Sequence, residues 1–492
     1  MLFNSYEFIL AFLPVTLVVF FVLGRTSATL AVGWLALASV FFYGWWNPKF
    51  VALLLASVVF NYCLGYVISR HATQRKGKGL LTFAVVANLM LLGVFKYANF
   101  FLSAMDEVLG TQSVLVNIIL PLGISFFTFT QIAFLVDSYR GIAKEYKFVH
   151  YLLFVTYFPH LIAGPVLHHK QMMPQFSTPA IYRPSSNNFA LGLSLFTIGL
   201  AKKVLLADSF AGHATSVFGM ASAGVPVPFF AAWMGALAYT FQLYFDFSGY
   251  SDMAVGLSKL FGINLPINFN SPYKSPNIID FWRRWHMTLS QFLRDYLYIS
   301  IGGNCKGKTR RYVNLMLTML LGGLWHGASW TFVIWGGYHG ILLCLNYFFR
   351  FVWQKFFAFR ATSFRFSRPL GMATTFFAVV VGWVLFRADT LAAAQNMLGG
   401  MFGKHAAMGS GLIDVVQVSP LLLAGFLLCW FAPSSTEIIM KLDNVLRRGQ
   451  DTRWLRFIPA IPASVVGFIG GVGCAVTMMS LGQPSEFLYF QF

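Results

Sequence analysis

The feature that most limits what this chain can become is its series of apolar stretches, each close to twenty residues long, separated by short basic loops. A helix needs about 20 apolar residues to cross the hydrocarbon core of a bilayer. Stretches that meet the requirement are 6–24, 29–46, 50–68, 80–102, 114–136, 188–206, 226–245, 329–349, 369–386, 418–434 and 457–481. Two others fit less well: 149–167 contains Pro159, His160 and Pro165, and 311–325 is short. The expected fold is an all-α polytopic membrane protein with about 11 transmembrane helices plus re-entrant or amphipathic pieces. Composition agrees, since only 10% of the 492 residues are charged, against about 25% in a soluble domain.

The net charge of +19 does not mark a nucleic-acid surface, because the basic residues recur in short loops rather than one block. That pattern sets topology, as Lys and Arg are retained on the cytoplasmic side. The loops 69–79, 140–147, 306–311, 350–368 and 447–456 are basic and are expected in the cytoplasm; 103–113 and 388–417 are poor in Lys and Arg and are expected outside it. Alternation between these loops places both termini on the non-cytoplasmic side. The N-terminal stretch has no basic leader and no small-residue cleavage site, so it reads as a retained first span. Five cysteines, widely separated and without C-x-x-C spacing, suggest neither disulfides nor a zinc site.

One histidine stands where water should be scarce. "GGLWHGASW" (322–330) places His326 between Trp325 and Trp330 with no charge nearby. From the basic "KGKTRR", about 14 residues of helix rise about 21 Å, short of a core of about 30 Å. "HGAS" would then turn the chain within the membrane thickness. Irregular backbone is tolerated there only against protein or a water-filled cavity, and an ionisable residue at that depth points to function. A neutral histidine bonded to a carbonyl is the structural alternative.

A second histidine lies in "IIDFWRRWHMTLSQFLRDYLY" (278–298). At helical spacing Trp282, His286, Leu289, Leu293 and Tyr296 share one face, while Arg283, Arg284, Ser290, Gln291, Arg294 and Asp295 share the other. The expectation is one amphipathic helix. Its arginines could equally bind lipid headgroups, with His286 merely packed. Upstream, 244–277 enters a polar loop in which Asp246 could orient a histidine or a helix end, and Asp252 could be a cap. The adjacent His168 and His169 lack the i, i+4 spacing of a metal pair on a helix. No nucleophile elbow, H-E-x-x-H, P-loop or G-x-G-x-x-G occurs, so hydrolase, metalloprotease and nucleotide-driven pump chemistry are not supported.

Together, "MLFNSYEFILAFLP", "PLGISFFTFTQIAFLVD", "YFPHLIAGPV", "QLYFDFSGYSDMAVG", "FNSPYKSPNIIDFWRRWHMTLSQFLRDYLYI", "GGLWHGASWTFVIWGGYHG" and "VLFRA" resemble the membrane-bound O-acyltransferase family, in particular its bacterial alginate-O-acetylation branch. The resemblance runs from residue 1 to about 400 and resumes at the C-terminus. It implies a catalytic membrane core over 1–400, transmembrane helices over 401–481 and an extracytoplasmic tail over 482–492. It further implies catalytic roles for His326 and His286 in a tunnel, with Asp246, Trp285, Trp325 and Ser329 lining or supporting it. The implied donor is cytosolic acetyl-CoA, with no resident cofactor or metal. The implied partner is an extracytoplasmic SGNH-type protein that modifies a polysaccharide, and the implied location is a bacterial inner membrane.

The terminal "FLYFQF" (487–492) is an aromatic segment with no purpose in water, so it is expected to enter a pocket as a plug; its resemblance to the C-terminal tyrosine motif of this family's polymer-modifying systems implies instead an acyl relay through Tyr489. A phenol of pKa about 10 forms a more reactive ester than an aliphatic alcohol does. Two other readings remain. One is a teichoic-acid D-alanyl transfer protein of the same family. The other is a transporter with His286 and His326 as a proton relay, against which stand the absence of inverted repeats and the scarcity of acids in most spans.

Overall fold

The computed structural model describes residues 1–111, 118–305, 307–356, 367–405 and 411–448, apart from Lys144 and Tyr146, together with Met479, Leu481, Phe487 and Leu488. The described residues are mostly helical, with no β-strand among them. Among the described residues, six helices are long and apolar enough to cross a membrane: Glu7–Thr26, Lys49–Arg70, Arg75–Leu109, Ser186–Ser222, Trp330–Trp353 and Arg368–Arg387. A seventh is reached if Val418–Phe431 and Ser435–Asn444, bent by 51°, form one span.

The difference from about eleven has identifiable sources. Ala28–Gly44 is apolar but only 17 residues long, and the helix within 114–136 begins at Ile124. The stretch 149–167, which is not among the eleven, breaks into Phe148–Thr156 and Phe158–Leu161, because Pro159 cannot continue the first helix's hydrogen bonding. The 226–245 stretch is the start of a 32-residue helix, Phe229–Leu260, whose later turns carry Asp246, Ser248, Ser251 and Asp252. The 457–481 stretch lies outside the described residues except for Met479 and Leu481.

The chain divides into two compact units: Met1–Val204 with Gly249–Ile267 and Ser435–Gln491, and Leu205–Ser248 with Asn268–Ser434. In lipid no hydrophobic effect drives one helix against another, so close packing and buried polar contacts must do so. The first unit uses both. Gly192 faces Gly256 and Gly199 faces Gly249, so the Ser186–Ala201 helix touches the end of the long helix backbone to backbone. A Cβ on Gly199 would sit 2.5 Å from the Gly249 carbonyl oxygen and 2.8 Å from the Met253 nitrogen. Asn61 and Asn88 donate to each other's carbonyl oxygens at 3.1 and 2.7 Å, and Gln131 donates to Ser57 at 2.9 Å. Lys202 pairs with Asp252 at 2.7 Å, and the Ser435 hydroxyl donates to the same carboxylate at 2.6 Å.

The adjacent histidines serve different acids in this unit. His168 faces Asp137 at 3.9 Å, while His169 meets Glu145 at 3.2 Å. Burial alone would raise the Glu145 carboxyl, but the His169 contact and the Lys147 backbone N–H outweigh it and hold the group below its ordinary value. At the C-terminal tail, Phe487 is 1% exposed, edge-on to Tyr250 at 4.8 Å, with the Lys203 ammonium 4.7 Å from its ring centroid. Tyr489 and Phe490 lie outside the described residues.

The glycine contacts predict opposite signs for two substitutions. Gly199→Leu should lower the thermal midpoint in detergent by an amount equivalent to about 1–3 kcal/mol or more, the range for overpacking. Gly33→Ala, where nothing lies within 4 Å of the new Cβ, should leave it unchanged or raise it by up to about 1 kcal/mol. Thermal unfolding of purified protein followed by intrinsic fluorescence checks both.

Candidate active site

The site is built in the second unit on two helices folded against each other. Lys308–His326 ends where Gly327 turns extended, at φ −162° and ψ 153°. Ser329 then starts Trp330–Phe356: its hydroxyl accepts from the Thr331 N–H at 3.3 Å and meets the Thr331 hydroxyl at 3.1 Å. Ser329 is thus placed as the cap of the returning helix. The first helix starts at Lys308, a turn before the expected 311, because Lys and Arg are good helix formers and continue it into the polar flank. From Tyr312 to His326 the rise is still about 21 Å, as the apolar length implied.

Glycine decides how closely the two helices approach. Gly323 lies against Gly336, with a Cβ on either about 3.1–3.2 Å from the other's Cα, and each also abuts a carbonyl oxygen, of Phe332 and Met319 respectively. The approach buries His326 to 7% exposure among three aromatic rings. Trp325 is 5.0 Å away, Trp335 5.2 Å at 88°, and Phe386 5.2 Å at 73°. Edge-to-face packing of this kind favours one ring orientation over others.

His286 is held differently from the sequence expectation. The single amphipathic helix over 278–298 is instead Ile278–Trp282, a turn, Met287–Phe292 and a π-helical stretch, Leu293–Tyr298. His286 occupies the break with φ 44° and ψ 55°, a left-handed conformation uncommon for any residue with a Cβ. Tertiary hydrogen bonds impose it. Asn268 Oδ1 accepts from the Thr288 hydroxyl at 2.7 Å and N–H at 3.3 Å, and lies 3.3 Å from His286 Nδ1. The Met287 N–H donates to the Asn268 carbonyl at 3.0 Å, and the Asn270 N–H donates to the Arg284 carbonyl at 3.0 Å. The 268–270 segment therefore clamps both sides of the break. Arg284, on the polar face, pairs with Asp280 at 2.8 Å.

The two histidines share a neighbour. The Trp325 ring is 5.0 Å from His326 and 6.4 Å from His286. Phe247 closes on His286 edge-on at 4.7 Å, and Asp246, next to it in the long helix, is 2% exposed. Trp285 faces an aromatic cluster, 4.8 Å from Trp383 and 5.1 Å from Phe269. Trp383 donates its indole N–H to the Tyr273 hydroxyl at 3.2 Å.

Two contributors escaped the sequence reading. Asn268 sat in a polar loop with nothing to connect it to a histidine eighteen positions on. His339 belongs to "GGYHG" and is fully buried, with its ring 5.0 Å from Trp335 on the helix that also supports His326. Its one signal was position: His339 follows Trp335 by one helical turn.

Chemically, the arrangement offers two imidazoles joined by an indole, walled by aromatic rings. Comparison with known proteins decides which chemistry this is. A profile of the membrane-bound O-acyltransferase family matches residues 40–385, which include His286, His326, Asn268, Trp325 and His339, with Phe386 one residue beyond. The chain belongs to the membrane-bound O-acyltransferase family. It is 43% identical over 430 residues to the "Peptidoglycan O-acetyltransferase" of Helicobacter pylori, covering 82% of this chain and 80% of that one. It is 42% identical over 442 residues to the "Probable alginate O-acetylase AlgI" of Pseudomonas aeruginosa, covering 88% and 81%. The "Teichoic acid D-alanyltransferase" of Streptococcus thermophilus is 30% identical over 307 residues, covering 60% and 71%. The protein is therefore an O-acyltransferase.

Substitutions can separate packing from chemistry in this acyltransferase. His286→Gly suits the left-handed backbone and should keep the thermal midpoint within a degree or two, yet lower acyl transfer at least 100-fold. Asn268→Ala should instead cost about 1–3 kcal/mol of stability by leaving buried donors unpaired. Thermal unfolding and acyl-transfer assays on the same preparations distinguish the two outcomes.

Proposed function

We propose that this O-acyltransferase takes an acetyl group from cytosolic acetyl-CoA and passes it across a bacterial inner membrane for O-acetylation of an extracytoplasmic polysaccharide. The observation that carries the reading is Trp325 contacting both imidazoles inside one aromatic wall. Support for acetyl transfer to a polymer comes from two relatives above 40% identity, one acting on peptidoglycan by its name and one on alginate. The teichoic-acid relative is less similar and covers less of the chain.

In this mechanism His326 is the general base. Its imidazole takes the proton of the acceptor hydroxyl as the oxygen attacks the thioester carbonyl carbon. The tetrahedral intermediate then expels the thiolate, which takes the proton back from the imidazolium, leaving an ester and free coenzyme A. General-base catalysis of this kind contributes about 10²–10⁴-fold, and the aromatic walls limit the water that would hydrolyse the thioester. His286, clamped by Asn268, orients the donor or the acceptor.

Tyr489 is the proposed first acceptor, and an SGNH-type partner outside the membrane then collects the acetyl group from the phenolic ester. Support for a docked tail comes from Phe487, which is buried two residues before it. Both termini and the 482–492 tail are placed outside the cytoplasm, and the 69–79 loop inside it, by the Lys and Arg distribution.

His326→Gln keeps most of the ring's volume and should abolish polymer acetylation without loss of folded protein. Tyr489→Phe keeps the ring but removes the nucleophile, and should do the same. The measurement is ester-linked acetate on the cell-envelope polymer in cells producing each variant with its partner. Wild-type acetate in the His326 variant removes the general base; wild-type acetate in the Tyr489 variant alone removes the relay. Lys76→Cys should resist an impermeant thiol reagent applied to intact cells, and its labelling would reverse the donor side.

A further inference from the structure

The geometry points to a binding site for one anionic phospholipid on the first unit. Its acyl chain would lie in the groove between the Glu7–Thr26 and Ser186–Ala201 helices, and its phosphate would be held by Arg25 and Arg183. The groove holds about 560 Å³, within the range of cavities that enclose a small organic ligand. Its walls are apolar: Leu13, Leu17 and Phe21 come from the first helix, and Leu193, Phe196 and Leu200 from the second. From Ile9 to Arg25 it follows about 24 Å of helix, more than the roughly 15 Å depth of one leaflet's hydrocarbon.

Charge identifies the occupant. Arg25 is the one charged residue lining the groove, and it stands at one end. Arg183 joins it there, because Gly24 packs directly on Tyr182, with a Gly24 Cβ only 2.9 Å from the Tyr182 Cβ. Both arginines are exposed, and neither makes an ion pair with a described residue. Asp443 accepts a hydrogen bond from Asn187 at 3.2 Å, and one carboxylate against two arginines leaves this end positive. The site thus combines a long apolar slot with two cations that make no ion pair among the described residues, which matches an acyl chain carrying a phosphate. A nucleotide thioester would leave its own polar groups unsatisfied along these walls. A zwitterionic lipid would bring a second positive charge to the arginines.

The test uses the full-length protein, delipidated in detergent and titrated with phosphatidylglycerol or phosphatidylcholine while bound lipid is counted by native mass spectrometry. Wild type should bind one phosphatidylglycerol, with a preference over phosphatidylcholine of order tenfold or more from two arginines near an anionic headgroup. Arg25→Gln with Arg183→Gln should reduce that preference to within about twofold. Leu193→Trp, at a position 49% exposed, fills the slot from its rim and should abolish one-to-one binding of either lipid. Val18→Trp, from the opposite wall and 62% exposed, should do the same if Leu193→Trp fails to fold. The proposal is overturned if wild type shows no preference, if the double variant keeps it, or if the tryptophan variants bind lipid undiminished. A dimer of this chain that Leu193→Trp dissolves would overturn it too, since the groove would then hold a second copy.

Discussion

The contact on which the candidate active site depends is the backbone approach of Gly323 to Gly336. In lipid, two helices gain nothing from hiding apolar side chains from each other, so their association rests on fit and on polar contacts. Glycine at the crossing brings the carbonyl of one helix against the Cα of the other. That spacing sets the turn at Gly327, and the turn holds His326 against Trp335 and Phe386. A methyl group at the crossing would push the helices apart, and the imidazole would lose its aromatic wall with its own ring unaltered. The most important residues for the geometry here have no side chain.

Asn268 does for His286 what the glycines do for His326, by the opposite means. One carboxamide oxygen gathers the Thr288 N–H and hydroxyl and approaches His286 Nδ1, while the neighbouring backbone pins Met287 and Arg284. These bonds outweigh the helical preference of 278–298 and force a left-handed histidine at the break. Such a conformation costs about 1–3 kcal/mol and persists only where the surroundings over-determine it. The strain is consistent with a residue held ready for chemistry, since a histidine that merely packed could have remained inside an unbroken helix.

The first unit shows the same economy in its own packing. Gly192, Gly199, Gly249 and Gly256 give a backbone-to-backbone seam seven residues in repeat, and buried amides pair across helices where lipid would leave them unsatisfied. Lys202 and Asp252 neutralise one another beside Ser435. Each is a local answer to one constraint: no backbone or side-chain polar group can be left to hydrocarbon.

The sequence was enough for the polytopic helical class of this protein, and its resemblance to a family for the acyl-transfer chemistry. Apolar stretches near twenty residues and basic loops follow directly from bilayer thickness and charge, and "LWHG" with "RWHMTLSQF" marked His326 and His286 before any contact was known. The short helix before His326 and the turn after it were also legible, because helix rise and glycine act locally. The tertiary structure decided the rest. Periodicity made 278–298 one helix, since Trp282, His286, Leu289 and Leu293 do share a face; only Asn268, distant in sequence, breaks it. Trp325 as the ring shared by both imidazoles, and His339 behind Trp335, likewise depend on how close two helices come. Local preference is written in neighbouring residues, but a long-range hydrogen bond or a glycine crossing exists only when both partners are in place.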